Sequence, residues 1–385
     1  MSDSNLRVLL SGNHAAAWGA RLARPQVLPG YPITPQTPIL EKLTEFHAAG
    51  ELDAEILTPE SEHSAMAACI AASLTGARVF TATASQGLML MHELLHWASG
   101  ARAPIVMVNV NRTIGSPWGF WPDQTDSLAQ RDTGWIQLYS ESPQESLDSV
   151  VQAFRIAERV MLPVMVNHDA FYVSHAMEPV AIPSQAGVDA YLPAYAPEHR
   201  LDPGRGESFG NVVMQDLYHR HRQDLGAAMR LAVAAAQEAD GEWRERFGRG
   251  YGILEGYRCE GAEAVVVAMG SLCGTAREAV DRMREGGRAV GLLKVRLFRP
   301  LPLAALRAAL AAVRDVVVLD RDFSPGCGGV LHQEVRGALY GLDPAPRVHG
   351  FLAGVGGVNV SPAGIEALLD RVASAGPEDE SQWVS

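Results

Sequence analysis

The sequence is short of aromatic residues (7%), has only four cysteines, and contains no apolar run near the roughly 20 residues that a membrane-spanning helix needs. Each shortage removes a class of protein. Cys69, Cys259, Cys273 and Cys327 are scattered without a C-x-x-C pair, so the chain alone builds neither a zinc ribbon nor an iron–sulfur framework. Scattered single cysteines also suit a reducing compartment. Positive charge is scarce as well. Lys and Arg number 32 against 44 Asp and Glu, a net charge of -12, which opposes binding to a nucleic-acid backbone or an anionic membrane surface. Met1-Ser2-Asp3-Ser4-Asn5 lacks a basic stretch followed by an apolar core, so no secretory leader is expected. A cytoplasmic protein is the remaining expectation.

The chain is rich in apolar and small residues, 47% hydrophobic with 37 Gly and 23 Pro over 385 residues, enough for two or three domains. Short runs rich in Val and Ile, without strict alternation, predict strands covered on both faces. They are residues 7–10, 26–28, 77–83, 105–110, 163–167, 264–268, 289–294 and 315–319. Helical periodicity appears between them at 38–46, 65–74, 88–98, 144–159 and 275–285, with Thr37-Pro38 as N-cap and first helical residue. This alternation predicts an α/β fold with open, doubly wound parallel sheets. The pattern breaks among the prolines after Pro179, so residues 1–180 are expected to form one domain. Residues 181–255 are expected to form an irregular and helical connection, helical around Asp224–Arg246, and 256–385 a second α/β domain. The tail from Ala375 is expected to be loose.

Several local patterns carry chemistry. His92-Glu93-Leu94-Leu95-His96 matches the H-E-x-x-H zinc signature, but no third ligand follows and Leu88-Met89-Leu90-Met91 makes the helix apolar. Thr83-Ala84-Ser85-Gln86-Gly87 imitates a nucleophile elbow without its first glycine. Gly30-Tyr31-Pro32-Ile33-Thr34-Pro35 is stiffened by two prolines, and serves either as a plain connector or as a rigid substrate rim presenting a hydroxyl. Glu60 and Glu62 precede a helix and suit its dipole. Glu62, followed by Ala65, Met66, Ala67 and Ala68, could instead be a desolvated carboxyl that shares a proton with a ring nitrogen. Arg112 ends a buried strand, where open α/β sheets bind ligands. It either holds a carboxylate or pairs with Asp123 or Asp126. Gly270-Ser271-Leu272-Cys273-Gly274 reads as a tight turn, and Cys327 as either a buried or interface cysteine or a redox thiol.

Taken in order, these segments resemble the α subunit of the 2-oxoacid:ferredoxin oxidoreductases, the pyruvate:ferredoxin oxidoreductase family. The resemblance rests on Gly30–Pro35, Glu60-Ser61-Glu62-His63-Ser64-Ala65-Met66, Phe80–Leu88 with Met91-His92-Glu93, Asn111-Arg112, Asp123 to Asp126, and Arg131-Asp132-Thr133-Gly134-Trp135. It covers most of residues 1–180 and, more loosely, Gly261 to Leu342. It implies a thiamine-diphosphate-binding pyrimidine domain plus a transketolase C-terminal-like α/β domain, acting in oxidative decarboxylation of a 2-oxoacid to acyl-CoA. The position matching Glu62 contacts the aminopyrimidine N1′ and favours its imino tautomer. Those matching Tyr31, Pro32, Ile33, Ser85, Gln86 and Gly87 line the cofactor. The residue matching Thr34 sits beside the substrate, and that matching Arg112 holds its carboxylate.

The family's Mg²⁺–diphosphate motif, Gly-Asp-Gly with later paired asparagines, does not occur in the sequence. The resemblance therefore implies a β subunit carrying Mg²⁺, the diphosphate half-site and a [4Fe–4S] cluster. It further implies γ and ferredoxin-like δ subunits, coenzyme A as co-substrate, and ferredoxin or an NAD-linked flavoprotein as acceptor. No metal ligand is assigned within this chain. After Arg112 the sequence departs from the family's smaller pattern, reading Thr113-Ile114-Gly115-Ser116-Pro117-Trp118-Gly119-Phe120-Trp121-Pro122. Trp118, Phe120 and Trp121 either pack on a partner subunit or line a pocket for a bulky or aromatic 2-oxoacid such as phenylglyoxylate. A non-catalytic scaffold subunit is the alternative of another class.

Overall fold

The computed structural model describes residues 6–202, 204–206 and 208–384. The leader expectation at Met1–Asn5, and Pro203 of the connecting segment, lie outside the described residues. In the first half, strands β1 (Leu6–Ser11), β2 (Val27–Pro29), β3 (Glu55–Leu57) and β4 (Phe80–Thr83) are followed by β5 (Val106–Asn111), β6 (Ile136–Ser140), β7 (Val164–Asp169) and β8 (Met177–Ile182). Interleaved are helices α1 (Gly12–Ala23), α2 (Thr37–Ala48), α3 (Glu62–Leu74), α4 (Ser85–Leu90), α5 (His92–Gly100), α6 (Thr125–Leu128) and α7 (Pro143–Val160). Helices α8 (Gln185–Tyr191) and α9 (Gln215–Phe247) lead to the second half. There β9 (Leu254–Tyr257), β10 (Ala264–Ala268), β11 (Val290–Val295), β12 (Leu297–Arg299), β13 (Asp315–Asp320), β14 (Arg347–Leu352) and β15 (Gln382–Trp383) alternate with α10 (Leu272–Glu285), α11 (Leu303–Leu310), α12 (Val330–Leu339) and α13 (Pro362–Ser374).

The first sheet has the order β12-β6-β7-β5-β4, with β4, β5, β7 and β6 parallel. A bridge between Val27 and Val79 joins the β2–β3 pair to its edge. Because Thr83 stands opposite Asn109, and Asn109 opposite Asn167, the carboxyl ends of three strands line up at one rim. The second sheet runs β15-β14-β13-β10-β11-β9, parallel except for β9.

Three local expectations change, and one helix joins those read from the sequence. The strand at 7–10 is not part of the parallel sheet, because β1 pairs antiparallel with β8 in a separate ribbon. Helix α2 starts at Thr37 with Gln36 as N-cap, which puts Pro38 at the second helical position. The tail is tied down in part, since β15 adds to β14 and Ser381 Oγ accepts from Gly329 N. Helix α1, Ala-rich and unassigned from periodicity, packs on α7 at close range. A Cβ on Gly19 would stand 2.5 Å from the Leu147 carbonyl, so only glycine allows that approach.

The two halves share a sheet and a charged seam. Strand β12 crosses over to pair with β6 of the first half. Beside it Lys294, fully buried, places its ammonium 2.7 Å from Glu145 and 3.1 Å from Glu141. Burial opposes that charge, but the two carboxylates prevail and hold Lys294 above the usual lysine range.

His168 on β7 supplies an acid sensitivity. Its ring nitrogens lie 3.2 Å from Ser146 Oγ and 3.3 Å from Asn13 Oδ1, and burial pushes the imidazole down to about 4. The unfolded chain takes up this proton near 6.5, so the stabilisation is complete above that pH and is lost as pH falls from 6.5 to 4, about 3 kcal/mol in all. His168→Gln is expected to flatten that part of the profile by about one proton, read as denaturant midpoint against pH. An unchanged slope would assign the acid sensitivity elsewhere.

Candidate active site

The rim formed by β4 and β5 is where the chemistry-bearing segments meet. Strand β4 turns into α4 through Ser85, which is fully buried with φ +49, a left-handed conformation unfavourable to a residue with a Cβ. This is the geometry of a nucleophile elbow, but no imidazole reaches the hydroxyl. Ser85 Oγ instead lies 2.5 Å from Gln86 Oε1 and against the Thr113 carbonyl.

The strained turn brings Gly87 against α3. Ser61 caps that helix by accepting from Ser64 N, and the two acidic residues beside it diverge. Glu60 points to solvent, where Ser64 Oγ donates to it at 2.5 Å and holds its carboxyl below the usual range. Glu62 turns inward and is 8% exposed, yet its carboxylate accepts no hydrogen bond among the described residues. A Cβ on Gly87 would lie 2.5 Å from Thr83 Oγ1 and 2.7 Å from Glu62 Oε1. The missing side chain at position 87 is thus the space in which Glu62 sits, next to a Thr83 hydroxyl that is itself buried without a partner.

Arg112 leaves the end of β5 and is 5% exposed. Neither surface partner weighed from the sequence engages its guanidinium, since Asp126 binds only the backbone N–H. One terminal nitrogen donates to the Thr34 carbonyl at 2.5 Å and the other to Gln86 Oε1, while Nε is buried without a partner. Burial lowers the Arg112 pKa, opposed by the charges of Asp126 and Glu62. The arginine therefore draws together the Gly30–Pro35 loop, the Ser85–Gln86 turn and the electrostatic reach of Glu62. The loop is held from behind by Asn13 Nδ2, which donates to the Pro35 carbonyl at 2.7 Å. Thr34, Tyr31 and Pro32 are exposed along its edge and Ile33 is half-buried.

The aromatic cluster divides. Trp118 lies 5.0 Å from the Arg112 guanidinium and meets Phe120 edge-on at 5.2 Å. Trp121 joins a different group, 5.2 Å from Phe171 and packed on Gly357 of the second half. Spacing along the chain could not separate them, because the 113–122 loop folds back through hydrogen bonds of Thr113 to Gly119 and Trp121.

Sequence reasoning missed the organising role of Asp126. It is fully buried, and burial pushes its carboxyl up to about 7 against the pull of its donors. Those donors are Ser85 N, Asn109 Nδ2 and Arg112 N on one oxygen, and Asn111 Nδ2 and Ser127 N on the other. The available signal was a run of polar residues, Asn109, Asn111 and Asp126 to Ser127, beside apolar strands.

Other motifs take structural places. His92 Nδ1 meets Gln130 Oε1 at 2.5 Å and its ring meets that of His96 edge-on at 5.1 Å, but Glu93 faces solvent 3.8 Å from His63, so the glutamate does not join the two imidazoles. No cluster of three or more His, Cys, Asp or Glu among the described residues is arranged to hold a metal ion. The Gly270–Ser271 turn binds a carboxylate of the chain itself, Asp169, through Ser271 N at 2.8 Å and Oγ at 2.6 Å. Cys327 is exposed. No helix among the described residues is long and apolar enough to cross a membrane.

Arg112→Lys is expected to raise KM for an anionic substrate about tenfold or more, since one ammonium cannot hold Thr34, Gln86 and a ligand with the same planar fork. A KM within twofold of wild type would remove Arg112 from substrate binding.

Comparison with known proteins gives the family. Residues 18–240 match the family model described as pyruvate flavodoxin/ferredoxin oxidoreductase, thiamine diphosphate-binding, and residues 262–365 match pyruvate:ferredoxin oxidoreductase core domain II. The chain is 47% identical over 378 residues to pyruvate synthase subunit PorA of Methanothermobacter thermautotrophicus, covering 98% of this chain and 97% of that protein. It is 46% identical over 389 residues to ketoisovalerate oxidoreductase subunit VorA of Pyrococcus horikoshii, covering 100% and 99%. Among solved structures, a 2-oxoglutarate:ferredoxin oxidoreductase from Magnetococcus marinus superposes with a TM-score of 0.74 at 21% identity, over 95% of this chain and 65% of that one, and shows the shared fold. The inward carboxylate without a donor, in a cradle that only glycine leaves open, fits the ring nitrogen of a thiamine aminopyrimidine. The chain belongs to the 2-oxoacid:ferredoxin oxidoreductase family.

Proposed function

We propose that this chain is the α subunit of a thiamine-diphosphate-dependent 2-oxoacid oxidoreductase and carries the pyrimidine half of the active site. The reaction converts a 2-oxoacid and coenzyme A to acyl-CoA and CO2. It releases two electrons to iron–sulfur clusters of partner subunits, and from there to ferredoxin. The observation that carries this reading is the Glu62 carboxylate, buried, without a donor, and seated against Gly87.

Thiamine diphosphate, when bound, supplies a nucleophilic carbon and a sink for the electron pair freed by decarboxylation. With the cofactor bound, the Glu62 carboxyl would meet the aminopyrimidine ring nitrogen and share its proton. Arg112 would hold the substrate carboxylate through a charge-assisted contact, its Nε being buried and unpartnered among the described residues. The Thr34 carbonyl and Gln86 fix the plane of the guanidinium, and Thr34 itself stands exposed beside it. Tyr31, Pro32, Ile33 and Ser85 frame the cofactor side. The Mg²⁺–diphosphate site belongs to a β subunit, and γ and δ subunits complete the electron path. The complex works in the cytoplasm.

Pyruvate or a branched 2-oxoacid is the substrate class that the relatives' names support. An aromatic 2-oxoacid such as phenylglyoxylate, with NAD as final acceptor, is a second reading. Trp118 over Arg112 with Phe120 at its edge favours it, whereas Trp121 does not contribute. The test is to purify the complex with its native subunits, measure thiamine diphosphate content, and follow dye reduction with pyruvate, 2-oxoisovalerate and phenylglyoxylate, with and without coenzyme A. One cofactor per copy of this chain and coenzyme-A-dependent turnover are expected. A complex lacking the cofactor and all three activities would instead support a scaffold subunit.

A further inference from the structure

We propose that Asp126 is the positioning residue that holds Arg112 in register with the Ser85–Gln86 turn, so that substrate capture depends on a carboxylate that touches neither substrate nor cofactor. This rests on the reading of Arg112 as the group that binds the 2-oxoacid carboxylate.

The argument begins where the sheet ends. The β4–β5 ladder closes with Thr83 opposite Asn109, and the chains then leave separately, one into the left-handed Ser85 and the other toward Arg112. No ladder hydrogen bond spaces these two backbones beyond that pair. Asp126 Oδ2 takes over, accepting from Ser85 N at 3.0 Å and Arg112 N at 3.2 Å on the same oxygen. The two residues so gathered are those through which the Arg112 side chain meets Gln86. An unfavourable φ persists only where the surroundings over-determine it, and this carboxylate supplies part of that constraint.

The other oxygen anchors the hub. Asp126 Oδ1 accepts from Asn111 Nδ2 at 2.6 Å and from Ser127 N at 2.7 Å. Residues next to Asp126 are gripped by the second half of the chain. Gln124 N donates to the Arg321 carbonyl at 2.8 Å and Phe323 N donates to Thr125 Oγ1 at 3.1 Å, while within the first half Gln124 Nε2 reaches Asp169 Oδ1 at 3.1 Å. Asp126 therefore refers the placement of Arg112 to both halves of the molecule. All five of its partners are N–H donors, so an amide in its place turns an NH2 group toward donors whichever way it is oriented.

The test uses the holoenzyme complex carrying Asp126→Asn, Arg112→Lys and both together. Asp126→Asn is expected to raise KM for the 2-oxoacid about tenfold with kcat within about threefold, and to add less than about twofold in the Arg112→Lys background. Asn111→Ala removes one donor and leaves the carboxylate. It is expected to shift KM the same way by about two- to fourfold while cofactor content stays at the wild-type level, which keeps the test valid if Asp126→Asn does not assemble. Multiplicative effects of Asp126→Asn and Arg112→Lys, or lowered kcat and cofactor content at unchanged KM, would reduce Asp126 to a fold-supporting role. A wild-type complex without 2-oxoacid turnover would overturn the functional reading itself, so the two failures are separable.

Discussion

Glu62→Gln is expected to lower kcat of the assembled complex on the order of 1000-fold, equivalent to about 4 kcal/mol of transition-state stabilisation, with thiamine diphosphate still bound. The amide keeps the shape of the side chain and can still meet a ring nitrogen, but it cannot carry the proton that a carboxyl carries. Subunit assembly is expected to be unchanged, since the Glu62 side chain makes no hydrogen bond among the described residues. Turnover within tenfold of wild type, with full cofactor content, would remove Glu62 from proton transfer.

Gly87→Ala tests the same site without touching any ionisable group. The added methyl would stand 2.5 Å from Thr83 Oγ1 and 2.7 Å from Glu62 Oε1, both far inside van der Waals contact. Thr83 ends a fully buried strand and its branched side chain has little freedom, so the Glu62 side chain is the part that gives way. A carboxylate displaced by about 1 Å loses its alignment with the ring nitrogen, and a fall in kcat of about 100-fold or more is expected. Helix α4 itself gains from the replacement, because alanine is the better helix former by about 1 kcal/mol. The expected signature is therefore a complex that assembles but turns over poorly. Wild-type kcat for Gly87→Ala would mean that the cradle tolerates a side chain and that Glu62 does not depend on it.

The parts of the site that sequence reading reached are those whose chemistry is local. Glu62 could be singled out because its helix start and the small residues beyond it are contiguous, and Arg112 because it follows a buried, largely apolar strand. The strands themselves were legible where both faces are covered, as at β5, β10 and β13, because burial on two sides leaves runs of Val and Ile. Strand β6, Ile136-Gln137-Leu138-Tyr139-Ser140, escaped notice although every residue is buried. Two of its polar members are held across the fold, Gln137 Nε2 at the Ser127 carbonyl and Tyr139 at the Ser127 hydroxyl, and polar residues at alternate buried positions left no apolar run to read. The crossover strand β12 is three residues long and pairs with a strand about 160 positions earlier, beyond any local signal.

By itself, then, the sequence determined the kind of architecture, the family and the candidate reactive groups, since periodicity, buried runs and short motifs depend on neighbours along the chain. Only the tertiary structure decided how those groups are used. It turned Glu60 outward and Glu62 inward, and sent Trp121 to the second half while Trp118 stayed over Arg112. It also made Asp126, weighed from the sequence only as a partner for the Arg112 side chain, the point where two strand ends are tied. Such outcomes depend on hydrogen bonds and close approaches between segments far apart in the chain, where a few tenths of an ångström separate a cradle from a clash.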